Sequence, residues 1–152
     1  MNEVFVLALV LVSALSYVAL VTLLATFLPK LTQRGRQIVA ESPVRTLLVG
    51  TIGWAIFGVL AAWLYGQAYL AAASVAVIVP SLVCIVGAPG LYTHIGSRIA
   101  ALHTREVSEL WCVGVGTLAC LTAALFPFIG WFVLLPLLLV AEFGTGVRSL
   151  LR

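Results

Sequence analysis

The sequence predicts an all-α membrane protein with five transmembrane helices, its N-terminus outside, its C-terminus inside, and short interfacial segments between the spans. Of its 152 residues, 63% are hydrophobic and only 9% are charged, with a mean hydropathy of +1.22. A soluble domain carries about 25% charged residues, so this chain lacks the polar surface that a water-soluble fold needs. Because one crossing uses about 20 residues, the spans occupy the whole chain as a single helical bundle, residues 1–152.

The first predicted span covers residues 4–28 and ends at Pro29. The residues before it include an acid and no lysine or arginine, which differs from the basic start of a secretory signal peptide. This apolar segment is therefore predicted to be a retained helix.

The second and third spans come from one long uncharged stretch, which extends from Thr46 to Ala88. A single helix of that length would measure about 65 Å, twice the hydrocarbon core of about 30 Å. The chain must fold back, and the polar break around Gly66 predicts spans at 46–65 and 69–88. The helix of the second span is predicted to begin at Pro43, with the side chain of Ser42 as its N-terminal cap.

The last two spans are predicted at 111–126 and 131–147, joined by a compact turn around Pro127. Between the third and fourth spans, Ala88, Pro89 and Gly90 are expected to break the helix. The amphipathic residues that follow are expected to form an interfacial helix.

The distribution of charge supports this topology. With five spans and an outside N-terminus, all eight basic residues fall on the inner side, as the positive-inside rule requires. They are Lys30, Arg34, Arg36, Arg45, Arg98, Arg105, Arg148 and Arg152. The aromatic residues expected in interfacial belts are Trp63, Tyr65, Tyr69 and Trp131 outside and Tyr92 and Trp111 inside. The predicted location is the bacterial inner membrane, crossed several times.

The first inner segment carries the basic residues Lys30, Arg34, Arg36 and Arg45. Two interpretations stay open: a helix lying on the bilayer with its basic side toward anionic headgroups, or a solvated loop. In either case the predicted contact is with membrane lipid. The basic pI does not indicate nucleic acid here, because the charges are explained by membrane orientation.

Glu142 is the candidate functional residue, since it is an acid within the last predicted span. A charged side chain there costs about 2.5–3.5 kcal/mol on insertion scales, so such residues usually relay protons, bind ions or contact a partner. The alternative is that the span ends early and Glu142 reaches the inner headgroups beside Arg148.

Small residues recur at spacings of four, which places them on one helix face and lets helices approach closely. Packing within the bundle is favoured over an oligomer interface, with a tight contact between the second and third spans at Gly66. The candidate packing residues are Gly50, Gly58, Ala62, Gly66, Gly116 and Cys120.

No catalytic, metal or nucleotide motif is present in the sequence, so the chain is predicted not to be an enzyme and to need no cofactor. His94 and His103 lie near the inner boundary without a ligand partner at helical spacing. Cys84, Cys112 and Cys120 are dispersed in apolar segments, which favours small packing residues over a disulfide framework or a zinc site.

Residues 28–150 resemble the multi-span hydrophobic region attached to some bacterial polymer-forming cytoskeletal (bactofilin-like) proteins. The shared pattern is a basic loop, Pro-x-Arg before a span, a Gly-x-Arg segment, and a Pro-x-x-Gly-Trp hairpin into a last span that ends in glycines. The matching residues are Pro43, Arg45, Gly50, Gly96, Arg98, Pro127, Gly130, Trp131, Gly144 and Gly146. The resemblance implies a small bacterial membrane module without assigned chemistry. Two departures are the missing β-helical polymer domain and Glu142, where the family's last span is apolar.

The leading functional hypothesis is a non-catalytic accessory or scaffold subunit of a larger inner-membrane complex, with other integral membrane proteins or further copies of itself as partners. One alternative is a small oligomeric transporter or channel that uses Glu142. Another is a pigment- or haem-binding subunit that uses His94 or His103.

Overall fold

The computed structural model describes residues 2–102, 107–126 and 128–151, and every regular element within them is helical. The all-α prediction is therefore confirmed. The elements are α1 (Asn2–Phe27), α2 (Pro29–Glu41), α3 (Pro43–Gly66), α4 (Leu70–Ala101), α5 (Glu109–Ala124), a π-helical turn (Gly130–Leu134) and α6 (Leu135–Leu151).

Four helical segments are long and apolar enough to cross a membrane: Ala8–Phe27, Pro43–Gly66, Leu70–Ala101 and Gly130–Leu151. They indicate a multi-pass membrane protein. The helix at the fourth predicted span, α5, is apolar but has only 16 residues. Its length of about 24 Å is less than the hydrocarbon thickness of about 30 Å.

The prolines at positions 29 and 43 begin α2 and α3, because a missing N–H costs nothing in the first helical turn. The predicted side-chain cap at Ser42 is wrong, since that hydroxyl makes no capping bond. Its backbone carbonyl instead accepts a hydrogen bond from Arg148 at the end of α6, at 3.3 Å.

The predicted helix break at residues 88–90 is also wrong, because α4 continues through Pro89 to Ala101. Proline removes one backbone hydrogen bond, and membrane helices tolerate this when neighbouring groups compensate. Residues 87–93 are all buried in the bundle, and the Thr93 hydroxyl donates to the Pro89 carbonyl at 2.6 Å. Packing around Pro89 therefore outweighs its local preference.

The basic segment after α1 forms a helix, α2, rather than a loop. Its buried residues are Thr32, Gly35, Ile38 and Val39, and they pack against α4 and α6. The basic residues Lys30, Arg34 and Arg36 of α2 are all exposed, as is Arg45 at the start of α3. An apolar stripe that faces protein and a basic side that faces outward account for the helix.

The central element is α4, which contacts each of the other five α-helices. Close contacts at glycines show that two of the helix pairs run antiparallel, α3 with α6 and α4 with α5. In α3 and α6, Thr46 lies against Gly144 and Gly50 against Val140, so residue numbers rise on one helix as they fall on the other. In α4 and α5, Tyr92 lies against Gly116 and Gly96 against Cys112 in the same manner.

Candidate functional site

Glu142 is buried in the middle of the bundle, with 4% of its surface exposed. Its Oε1 atom accepts hydrogen bonds from the hydroxyl of Tyr92 on α4 and, at 3.2 Å, from the hydroxyl of Tyr17 on α1. The two hydroxyl oxygens are 3.4 Å apart, and the tyrosine rings meet edge to face with centroids 6.3 Å apart. We call Tyr17, Tyr92 and Glu142 the polar cluster.

The polar cluster ties together the first helix, the central helix and the last helix. An unpaired carboxylate in an apolar interior costs several kcal/mol, and hydrogen bonds to it recover about 1.5–3 kcal/mol each. The tyrosines supply such bonds while their rings pack among apolar side chains. The arrangement keeps Glu142 inside the protein at a tolerable cost.

The interpretation that Glu142 reaches the inner headgroups beside Arg148 is wrong. The Arg148 guanidinium donates to the Thr46 hydroxyl at 2.8 Å and to the Ser42 carbonyl, both at the start of α3. Residues three or four apart share a helix face, whereas six residues place side chains on different faces. Glu142 therefore faces α1 and α4 while Arg148 faces α3.

A cavity of about 260 Å³ adjoins the polar cluster and lies between α1, α4, α5 and α6. Most of its wall is apolar, and Glu142 and the two tyrosines form its polar part. Its lining residues are Tyr17, Tyr92, Cys120, Leu121, Ala124, Leu135, Leu138, Leu139 and Glu142. A carboxylate beside an apolar space can hold a proton donor or a cation with an apolar body.

The prediction that Tyr92 belongs to the inner aromatic belt is wrong, because its side chain is 3% exposed and its hydroxyl donates to Glu142. Sequence reasoning did not identify either tyrosine as a partner of Glu142. One signal was available for Tyr17, which stands in the middle of the 4–28 span rather than at an end, where interfacial tyrosines occur.

The predicted packing residues divide into two groups. A methyl group on Gly50 would overlap the Val140 carbonyl, one on Gly116 would overlap the Tyr92 carbonyl, and Cys120 is buried in the core beside the polar cluster. Gly58, Ala62 and Gly66 are exposed, and a methyl group on either glycine would meet no atom within 4 Å. The expected tight helix contact at Gly66 is therefore wrong.

Further close contacts involve glycines outside the predicted set. Methyl groups on Gly87, Gly144 and Gly146 would overlap backbone atoms of neighbouring helices, and Gly35 and Gly90 face each other across α2 and α4. Direct backbone contact lets these helices gain van der Waals attraction, which drives association in lipid.

Among the described residues no group of three histidine, cysteine or acidic side chains could hold a metal ion. His94 is half-buried on α4, and its backbone carbonyl accepts from the Ser97 hydroxyl at 2.8 Å. His103, Arg105 and Arg152 lie outside the described residues. The three cysteines are buried and free.

Comparison of the chain with known protein families, with curated proteins and with solved structures finds no match.

Proposed function

We propose that this protein is a non-catalytic accessory or scaffold subunit of a larger complex in the bacterial inner membrane. The observation that supports this most is the polar cluster, in which Glu142 is bonded to two tyrosines of its own chain. A carboxylate that holds three helices together has a structural role within the bundle. The resemblance to the hydrophobic region of bactofilin-like proteins fits such a membrane module.

Of the four helical segments long enough to cross a membrane, those of α1 and α3 are the least buried and so offer the most surface to a partner. In the 18-residue apolar stretches of these two helices, only 11% and 6% of the residues are buried. On α3 these exposed side chains include Ile52, Ile56, Val59 and Trp63. A face of this kind is stable against lipid or against another integral membrane protein, and we assign it both contacts.

The proposed topology has five spans, with α5 and the residues after it forming the fourth and an outside N-terminus. It puts the exposed basic residues of α2 at the inner headgroups, where each is worth about 1 kcal/mol in anionic lipid. The hairpin between α3 and α4 and the turn before the π-helix then lie outside.

Cysteine labelling in sealed cells checks this topology. In a variant with its three native cysteines replaced by alanine, a membrane-impermeant maleimide should label cysteines at Gln67 and Ile129 but not at Gln37. All three positions are exposed on the protein surface, so access depends on the side of the membrane. Labelling of Gln37→Cys in sealed cells, at the rate seen after lysis, would contradict the five-span arrangement.

Photo-crosslinking tests the subunit function. A photoreactive phenylalanine analogue at Ile56, on the exposed face of α3, should join this protein to one reproducible integral membrane protein in living cells. The matched control is Phe57, whose ring packs against Phe143 at 6.0 Å within the bundle and should give no such product. Crosslinks to lipid alone from Ile56 and from further α3 positions would argue against a subunit.

A transporter is the second candidate function, and the cavity beside Glu142 is the observation that favours it. Vesicles containing purified protein distinguish the two. A subunit should give no flux of protons or monovalent cations above empty vesicles. Flux that Glu142→Gln abolishes would replace the scaffold proposal with the transporter.

A further inference from the structure

The cavity beside the polar cluster has the dimensions of a site for a small molecule. Its volume of about 260 Å³ is just below the range of about 300–1,000 Å³ found for pockets that take drug-sized ligands. It is bounded by four helices, so a molecule within it would contact α1, α4, α5 and α6 together.

The carboxylate of Glu142 gives this cavity a preference for positive charge. Both tyrosine hydroxyls donate to Oε1, and within the described part of the chain no donor reaches Oε2. An ionised carboxylate can accept about four hydrogen bonds. Among the described residues that line the cavity there is no lysine, arginine or histidine, so a bound cation would meet no positive side chain among them.

The rest of the wall selects the kind of cation. A bare divalent metal such as Ca²⁺ takes 6–8 oxygen ligands, whereas the described lining offers one carboxylate and two hydroxyls. The side chains of Leu121, Ala124, Leu135 and Leu138 provide an apolar surface instead. Tyrosine rings also attract organic ammonium groups through their π faces. These features fit an ammonium group attached to a short alkyl chain.

We propose that the cavity between α1, α4, α5 and α6 binds a small organic monocation of the alkylammonium class, with its nitrogen bound to Glu142 and its alkyl group among the leucines. This proposal goes beyond the subunit function and does not depend on it. A scaffold could bind such a ligand without transporting it.

The test is calorimetric titration of the purified protein in nanodiscs of zwitterionic lipid, with n-butylammonium as the probe and empty nanodiscs as the baseline. Wild-type protein should bind n-butylammonium saturably at one site. Glu142→Gln should weaken the affinity about tenfold or more, as expected for losing a hydrogen bond to a charged group. Glu109→Gln removes the same charge on α5 away from the cavity and should leave the affinity unchanged.

Two further measurements keep the proposal falsifiable if Glu142→Gln does not fold. Ala124→Phe fills the cavity while keeping the carboxylate, and it should also abolish binding. The neutral probe 1-pentanol has a similar size and should bind at least tenfold more weakly than n-butylammonium. Absence of saturable binding, equal binding to Glu142→Gln or to Ala124→Phe, or equal affinity for the two probes would overturn the proposal.

Discussion

Replacing Gly116 by alanine is expected to destabilise the bundle, whereas the same replacement at Gly114, two residues away on α5, is expected to stabilise it. A methyl group on Gly116 would overlap the carbonyl oxygen of Tyr92, while one on Gly114 would meet no atom within 4 Å. Backbone cannot rotate away as a side chain can, so the cost at Gly116 should be about 1–3 kcal/mol. In the open position, alanine should gain about 0.5–1 kcal/mol through its better helix propensity.

Thermal or denaturant unfolding in one detergent, followed by circular dichroism, measures both variants. The pair shares helix and residue type, so a difference in sign isolates the contact with α4. If Gly116→Ala were as stable as Gly114→Ala, the close packing of α4 and α5 would be contradicted. Gly66→Ala offers a second open position, on α3, and should not destabilise.

Removal of the Tyr92 hydroxyl is the second change with a large expected effect. Tyr92→Phe deletes one donor to a carboxylate that is 96% buried, since Glu142 is 4% exposed. Leaving a buried polar group less satisfied costs about 1–3 kcal/mol. The control is Tyr65→Phe, because Tyr65 is 70% exposed at the end of α3 and its loss should change stability by less than about 0.5 kcal/mol.

A double-mutant cycle with Glu142→Leu identifies the source of this cost. Once the carboxylate is absent, Tyr92→Phe should cost much less than it does in the wild-type background, giving a coupling energy of about 1–2 kcal/mol. Tyr17→Phe should show smaller coupling, because its bond to Glu142 is longer at 3.2 Å. Zero coupling between Tyr92 and Glu142 would show that the polar cluster does not stabilise the bundle.

The helices α1 and α3 could be predicted because backbone N–H and C=O groups in lipid must hydrogen-bond within the protein. A continuous helix over each apolar stretch satisfies them. Their ends follow Pro29, Pro43 and the polar turn at Gly66, which are local signals. The continuation of α4 could not be predicted in this way. Pro89 and Gly90 favour a break when considered alone, and only the packing of α2, α5 and α6 around them reverses that preference.

At the candidate site, Glu142 could be identified from its position in an apolar span, but its partners could not. Tyr17 and Tyr92 are 125 and 50 residues from it in the sequence, and tyrosine is also common at membrane interfaces. The glycines show a similar limit. Spacing by four defines a helix face, yet it does not say whether that face meets a helix or lipid. Gly58 and Gly66 share the spacing, yet no neighbouring helix packs against them, whereas Gly116 packs against the backbone of α4.

The polar cluster also has a consequence for biosynthesis. Tyr17 and Glu142 are separated by 125 residues, and at a synthesis rate of about 5–20 residues per second the acid emerges roughly 6–25 s after the tyrosine. During that interval α1 must persist in lipid without its last partner. Ser13, Thr22 and Thr26 suit it to do so, because each hydroxyl donates to a carbonyl one turn earlier in α1 itself. These three hydroxyls of α1 therefore have their hydrogen-bond partners as soon as the helix forms, whereas Tyr17 waits for the later helices.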